Sequence, residues 1–366
     1  MSSLPVSPVR QRVLSGMRPT GKLHIGNLVG ALLNWVEIQK VMESYFFIAD
    51  WHALTTDYAD TSQLQESTLE VMLDYLAAGL DPKKSVIFLQ SHIPEHAELH
   101  LLLSQVVPLG WLERVPTYKE QRENLREKDL STYGFLGYPV LQTADILMYK
   151  ATFVPVGDDQ LAHLELTREI CRRFNGFYGA IFPEPQPWLT PTLRQPDTEI
   201  LFGRGGFSDR TSSSRLPGTD GRKMSKSFGN AIFISDSEAD VRQKVSMMMT
   251  DPARKRRSDP GNPDVCPVFS FHKIFSPSSN VETVNVECRR AGIGCVECKS
   301  MMATSLIQKL APIQQRRREH AGNIDAVWDI LEDGSRKARE TAKATMEEVR
   351  AAMNLSRPRP PTPREQ

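Results

Sequence analysis

SGMRPTGKLHIGNLVG, residues Ser15 to Gly30, is the stretch on which the fold is decided. A β-type run from Val13 to Met17 enters a loop of Pro, Thr and Gly. The chain then restarts as a helix near Gly26, with Leu28, Leu32, Trp35 and Val36 at helical spacing on one face. A strand that feeds a helix through a tight polar turn aims the helix's free N–H groups above the strand end. Those groups, with the helix dipole, favour phosphate. His24 and Asn27 stand in the turn as neutral donors able to follow phosphate oxygens. At Gly26 the missing Cβ leaves room for a flat adenine ring against the backbone.

Outward from this turn, β-type runs recur at Tyr45–Ala49, Val86–Gln90 and Phe153–Val156, with helical patterns at 26–43, 62–79, 96–107, 111–127 and 140–150. Strands alternating with helices predict an α/β fold around a doubly wound, parallel, Rossmann-like sheet. Ligands in such sheets sit above the C-terminal strand ends, near the switch in strand order. Gly16, Ala49 to His52 and Gly157 to Gln160 therefore surround one expected crevice. After Asn230 the pattern turns purely helical, at 237–249, 300–320, 323–332 and 335–353. The expected organisation is an arm at 1–11, a catalytic domain at 12–230, an all-α domain at 231–355 and a disordered tail at 356–366. That tail carries four prolines in eleven residues. The Gly-, Ser- and Arg-rich segment 194–214 reads as a surface insertion.

With 366 residues, 40% hydrophobic and 24% charged, the chain has ample core for two domains. Its 45 basic and 44 acidic residues give no net attraction for nucleic acid, so any RNA contact rests on local patches. Arg254 to Arg257 and Arg316 to Arg318 are the basic candidates. No apolar run reaches the roughly 20 residues of a membrane span, and the first twelve residues lack a signal-peptide core. A cytoplasmic location follows as the expectation.

The second informative stretch is Lys223-Met224-Ser225-Lys226-Ser227, set between Gly221 and Gly229. Two lysines three apart, with small hydroxyl residues between them, make a cationic strap suited to a triphosphate and its leaving pyrophosphate. Paired with His24-Ile25-Gly26-Asn27, it resembles the His-Ile-Gly-His and Lys-Met-Ser-Lys-Ser signatures of class I aminoacyl-tRNA synthetases. Asn27 in place of the second His is a variant familiar in the tryptophan enzymes of that class.

Within the apolar run from Val140 to Tyr149, Asp145 needs a partner. Read functionally, it accepts one N–H donor in a flat apolar pocket, and an indole has one such donor. The run Tyr138 to Leu147 is similar to the substrate-recognition helix of the tryptophanyl-tRNA synthetase family, a likeness that extends over roughly residues 13 to 355. The resemblance implies Asp145 at the indole, Tyr138 and Gln142 at the ammonium group, and His52, Gly16, Val154, Val156 and Gln160 around the amino acid. Gly157-Asp158-Asp159-Gln160 resembles the family's Gly-x-Asp-Gln, with Asp159 on the ATP ribose. It further implies ATP contacts from Arg18, Thr20, His24, Gly26, Asn27, Gly157, Met224 and Ser225, and catalysis by His24, Asn27, Lys223 and Lys226. Arg18 and Thr117 replace glutamines of commoner bacterial members, and Gln142 stands where Met is frequent.

The activity implied is ATP-dependent charging of tRNA(Trp) with L-tryptophan, with Mg²⁺ on the phosphates and a homodimeric assembly. A tyrosyl-tRNA synthetase, which shares fold and signatures, and a non-charging RNA-binding paralogue are the competing readings. Four of the five cysteines follow the pattern Cys266-x21-Cys288-x6-Cys295-x2-Cys298, inside 33 residues. In a cytoplasmic chain that spacing points to metal rather than disulfides, and by itself fits zinc or an iron–sulfur cluster. A subset of the family carries a 4Fe–4S cluster on closely similar spacing, which inclines the expectation towards iron.

Overall fold

The computed structural model describes residues 11–115, 130–157, 160–188 and 216–356. The arm up to residue 10, Thr117, Asp159, the 194–214 segment and the tail from 357 lie outside the described residues.

Five parallel strands form the sheet in the order β3-β2-β1-β4-β5. They are β1 (Arg12–Met17), β2 (Glu43–Ile48), β3 (Ser85–Leu89), β4 (Phe153–Pro155) and β5 (Gln186–Trp188). The strand order reverses between β1 and β4, which opens the crevice expected of a doubly wound sheet. Period-two alternation explains how both faces are covered. Val13, Phe46, Ile48, Ile87 and Leu89 enter one buried core, whereas Leu14, Tyr45, Phe47 and Phe88 enter the other. The first four strands fall within one or two residues of their sequence signals. β5 left no such signal: it is three residues long, contains Pro187 and pairs only with β4, as suits an edge strand.

The helices before the lysine loop include α1 (25–38), α2 (Asp50–Asp57), α3 (Leu64–Ala78), α4 (Glu95–Ser104), α5 (Leu109–Glu113), α6 (Tyr133–Met148) and α7 (Leu161–Tyr178). A π-helical turn interrupts α1 at Leu28–Leu32. The Thr132 side chain caps α6 by accepting the Phe135 N–H, so this helix begins seven residues before its expected start. Pro139 lies inside it and is what hid the beginning.

Beyond residue 230 come α8 (Glu238–Ser246), α9 (Pro267–Phe275), α10 (Ser278–Arg289), α11 (Cys295–Ala321) and α12 (Ile324–Ala352). The two helices expected at 323–332 and 335–353 are one. The gap left between them is helical, and at Gly334 the backbone passes very close to β3. A Cβ there would lie 1.8 Å from the Ile87 carbonyl oxygen. Beside it, Ser335 Oγ accepts the Leu89 N–H at 3.2 Å. By this contact α12 covers the outer edge of β3, which would otherwise present unpaired backbone groups. Val327 and Leu331 of α12 join one core, and Ala338, Ala342, Met346 and Val349 join the other. The buried core therefore runs without a break across residue 230.

Gly334→Ala should destabilise the protein although Ala is the better helix former. About 1–3 kcal/mol is expected for overpacking at such a site, read as a lowered melting temperature.

Candidate active site

The two signatures meet through the backbone. After the lysine loop the chain runs antiparallel to Leu23–Ile25: the Ile25 N–H donates to the Ile232 carbonyl at 2.9 Å, and the Ile234 N–H to the Leu23 carbonyl at 3.0 Å. This pairing seats the lysine strap over the turn. Lys226 Nζ donates to the carbonyls of Gly21 at 2.8 Å and Thr20 at 3.1 Å, and lies 3.4 Å from Thr20 Oγ1. Met224 is buried with its sulfur near Gly26.

In the turn, His24 and Asn27 cap α1 reciprocally. His24 Nδ1 accepts the Asn27 N–H at 3.2 Å, and Asn27 Oδ1 accepts the His24 N–H at 3.1 Å. A Cβ on Gly26 would meet the His24 ring at 2.9 Å, so the glycine makes room for the imidazole of its own turn. Burial, reinforced by Lys226 and Lys223, lowers the His24 pKa to about 4. Near neutral pH the ring is uncharged, and with Nδ1 accepting, Nε2 carries the proton. Burial likewise brings Lys226 down to about 8, opposed by the Asp74 carboxylate.

Next to this cluster, a cavity of about 410 Å³ opens at the switch between β1 and β4. Gly16, Arg18, His52, Tyr138, Gln142, Asp145, Val154, Val156 and Gln160 all line it. Gly16 is required by its neighbour strand, since a Cβ would strike the Phe47 ring at 2.5 Å. Tyr138, Gln142 and Asp145 share one face of α6 by their spacing. The Tyr138 hydroxyl lies 2.6 Å from His163 Nε2, and Arg18 is held by Thr56 and Asp57. Asp145 is fully enclosed. Gln90 Nε2 bonds both its oxygens at 2.8 and 2.9 Å, His96 Nδ1 meets Oδ1 at 2.6 Å and His52 Nε2 meets Oδ2 at 2.8 Å. Burial alone would push this carboxyl up, but the histidine hydrogen bonds outweigh it and bring the pKa to about 2.

The expected site residues thus form two neighbouring groups. His24, Asn27, Met224 and Lys226 gather with Thr20 at the helix N-terminus, and the amino-acid set lines the cavity. Arg18 and Thr20, two residues apart, join them. His24, Asn27, Lys223 and Lys226 do not line the cavity itself. Gly157 makes the tight turn below it, its carbonyl accepting the Gln160 N–H at 2.9 Å.

No disulfide joins the four spaced cysteines. Burial pushes the Cys298 thiol up to about 12, and the thiols of Cys266, Cys288 and Cys295 add to the rise, so the four lie within one another's electrostatic reach. Among the described residues, no group of three or more His, Cys, Asp or Glu side chains is arranged to hold a metal ion.

Residues 8–311 match the family model for tRNA synthetases class I (W and Y). The chain is 54% identical over 346 residues to the tryptophan–tRNA ligase of Thermotoga maritima, covering 94% of this chain and 99% of that one. The tryptophan–tRNA ligase of Aquifex aeolicus is 44% identical, over 94% and 100% of the two chains. Among solved structures, tryptophanyl-tRNA synthetase from Campylobacter jejuni, complexed with ADP and tryptophan, superposes with a TM-score of 0.80. Its identity is 31%, and 94% of this chain and all of that one are covered. The chain belongs to the tryptophanyl-tRNA synthetases.

Several supports of this synthetase site carry no motif. Asn230 is buried under the lysine loop, where its side chain accepts the Ser225 N–H at 2.8 Å and donates to the Lys223 carbonyl at 3.1 Å and to Asp220 at 2.7 Å. Asp74 accepts the Leu23 N–H at 2.9 Å, one residue before His24. Gln90 and His96 reach Asp145 from separate elements. Only the polar character of Gln90, directly after an apolar strand, hinted at a task. Two arginines of the basic run at 316–318 are used internally: Arg316 donates to the Ala77 carbonyl, and Arg317 pairs with Asp74 and Glu70.

Asn230→Ala removes three side-chain hydrogen bonds from the lysine loop. Limited trypsin digestion should cut after Arg222 or Lys223 several-fold faster than in the parent. Global stability should fall by about 1–3 kcal/mol, the cost of leaving buried polar groups unpaired.

Proposed function

We propose that this chain is a tryptophan–tRNA ligase: it activates L-tryptophan with ATP to tryptophanyl-adenylate and pyrophosphate, then transfers the amino acid to tRNA(Trp). The observation that carries this reading is the pairing of 23–25 with 232–234, which brings the lysine strap onto the phosphate-type turn beside a cavity floored by a buried carboxylate. Relatives at 44–54% identity over nearly the whole chain bear the ligase name.

The substrate carboxylate is itself the nucleophile and attacks the α-phosphorus in line. No general base is required, so catalysis consists of positioning and of stabilising an anionic, crowded phosphorus. His24 gives a neutral Nε2–H, Asn27 an amide, and Lys223 and Lys226 positive charge, with the first helical N–H groups behind them. Arg18, Thr20, Gly26, Gly157, Asp159, Met224 and Ser225 complete the ATP surface. Mg²⁺ would neutralise phosphate charge as it forms on the leaving pyrophosphate. Gly16, His52, Tyr138, Gln142, Val154, Val156 and Gln160 enclose the amino acid, with Asp145 accepting the indole N–H. The segment 231–355 faces the tRNA, and the protein works as a cytoplasmic homodimer.

Pyrophosphate exchange that depends on tryptophan, and not on tyrosine, tests the assignment. Exchange driven equally by tyrosine would overturn it. Lys226→Ala should slow activation by about two orders of magnitude or more, as for one lost oxyanion donor. In the free enzyme Lys226 is cationic below its pKa and neutral above it, so kcat/KM for ATP should decline as pH rises through about 8. Lys226→Arg, which keeps its charge, should remove that decline.

We extend the reading to Cys266, Cys288, Cys295 and Cys298 as the thiolate set of a structural 4Fe–4S cluster, with zinc as the alternative. Support comes from an all-sulfur donor set gathered in one region, where burial and then the neighbouring cysteines raise the Cys288 and Cys298 thiols, a cost that a bound cation would offset. Protein purified without oxygen should be brown, with a broad visible shoulder lost in Cys295→Ser. A colourless sample with stoichiometric zinc would decide for zinc.

A further inference from the structure

Asp145 is already supplied with donors. Its ionised carboxylate has no proton to give, so His52 Nε2, His96 Nδ1 and Gln90 Nε2 must each donate to it. Oδ1 then holds two donors and Oδ2 two, which fills the roughly four acceptor positions of a carboxylate. These donors are not equivalent. Gln90 and His96 are wholly buried, whereas His52 lines the cavity with its side chain 11% exposed. The distal nitrogen of His96 is engaged as well: Nε2 lies 2.7 Å from the hydroxyl of Tyr149, itself fully buried. With Nδ1 committed as a donor, the neutral ring accepts the Tyr149 O–H at Nε2. That fixes both the tautomer and the ring orientation.

From this we propose that His96 and Tyr149 are positioning residues for tryptophan recognition: with Gln90 they pin the Asp145 carboxylate from behind, so that His52 is the one donor an incoming indole N–H displaces from Oδ2. This inference rests on the assignment of Asp145 to the indole. Without the rear donors the carboxylate would be free to follow the departing His52. The exchange of one donor for another would then lose its fixed geometry. Removing the Tyr149 hydroxyl releases the His96 ring to turn, and removing the imidazole takes a donor directly from Oδ1.

The test compares tryptophan with β-(benzothiophen-3-yl)alanine, a ring of the same shape in which sulfur replaces the N–H, by pyrophosphate exchange. In the parent enzyme tryptophan should be strongly favoured, because a site built around a hydrogen bond rejects a substrate lacking it. His96→Leu should raise KM for tryptophan by about tenfold, the scale of one weakened hydrogen bond to a charged group. KM for ATP should stay within about twofold on the same reasoning, as should kcat/KM for the sulfur analogue. His96→Asn, whose amide can stand where Nδ1–H stood, should restore most of the loss. Tyr149→Phe deletes only a hydroxyl; it should show the same selective rise and serves in place of His96→Leu if that variant does not fold. Equal losses for both substrates would mean a merely structural role and would overturn the proposal, as would no loss for either. If the parent enzyme treats the two substrates alike, or Asp145→Asn keeps the parent's full preference for tryptophan, the indole assignment itself fails. If Asp145→Asn erases the preference for tryptophan while His96→Leu and Tyr149→Phe keep it, the assignment stands and the positioning role falls.

Discussion

Two backbone hydrogen bonds between Leu23–Ile25 and Ile232–Ile234 bring together stretches separated by some two hundred residues of chain, and the rest of the site hangs on them. Without that pairing the lysine strap would have no register on the turn it covers. The pairing is braced from below by Asp74, which takes the Leu23 N–H on one oxygen and the Arg317 guanidinium on the other. Arg317 belongs to α11, so a residue of the long C-terminal helices takes part in placing the turn that begins α1. The two ends of the molecule are one mechanical unit: α11 presses on α3, and α12 seals the edge of β3.

This interlocking also marks where sequence reading stops. The strands of the central sheet were legible because both faces are apolar and the alternation is strong. The two signatures were legible because a helix N-terminus and a lysine-bearing strap have recognisable residue types at fixed spacing. Gly16, Ala49, His52 and Gln160 in the cavity lining followed from the switch in strand order, whereas Tyr138 and Gln142 followed only from the family resemblance. What stayed hidden was whatever depends on a contact distant in sequence. Gly334 falls in the gap between two expected helices, and only the structure sets the Ile87 carbonyl against it. The run Arg316 to Arg318 looks like a nucleic-acid patch until Asp74, Glu70 and the Ala77 carbonyl are seen to engage two of its three arginines. Even Gly26, singled out as room for an adenine ring, has the His24 ring 2.9 Å from where a Cβ would stand.

Electrostatics in the two parts of the site run in opposite directions. At the turn, burial next to two lysines keeps His24 uncharged and weakens the proton affinity of Lys226. The Lys226 charge is held partly out of water there, so binding an anion offsets the cost of its burial as well as forming bonds. In the cavity the situation is reversed: one negative charge is enclosed, and Gln90, His96 and His52 are turned towards it.

Asp74 and Asp145 are both buried carboxylates, and their surroundings set them different tasks. Burial leaves Asp74 above its ordinary pKa even with Arg317 and the Leu23 N–H beside it, so its ionised form costs stability as pH rises through that pKa. What the pair visibly supplies is register, since one carboxylate ties the Leu23 N–H to the Arg317 guanidinium. Asp145 lies on the other side of the balance. Its contribution is present above the ordinary carboxylate range and is lost only as pH falls through about 2. A carboxylate so firmly ionised cannot act as a proton donor at physiological pH and has one role open to it, that of a fixed acceptor. In the proposed reading the pocket therefore selects a ring that offers a hydrogen and asks for none in return.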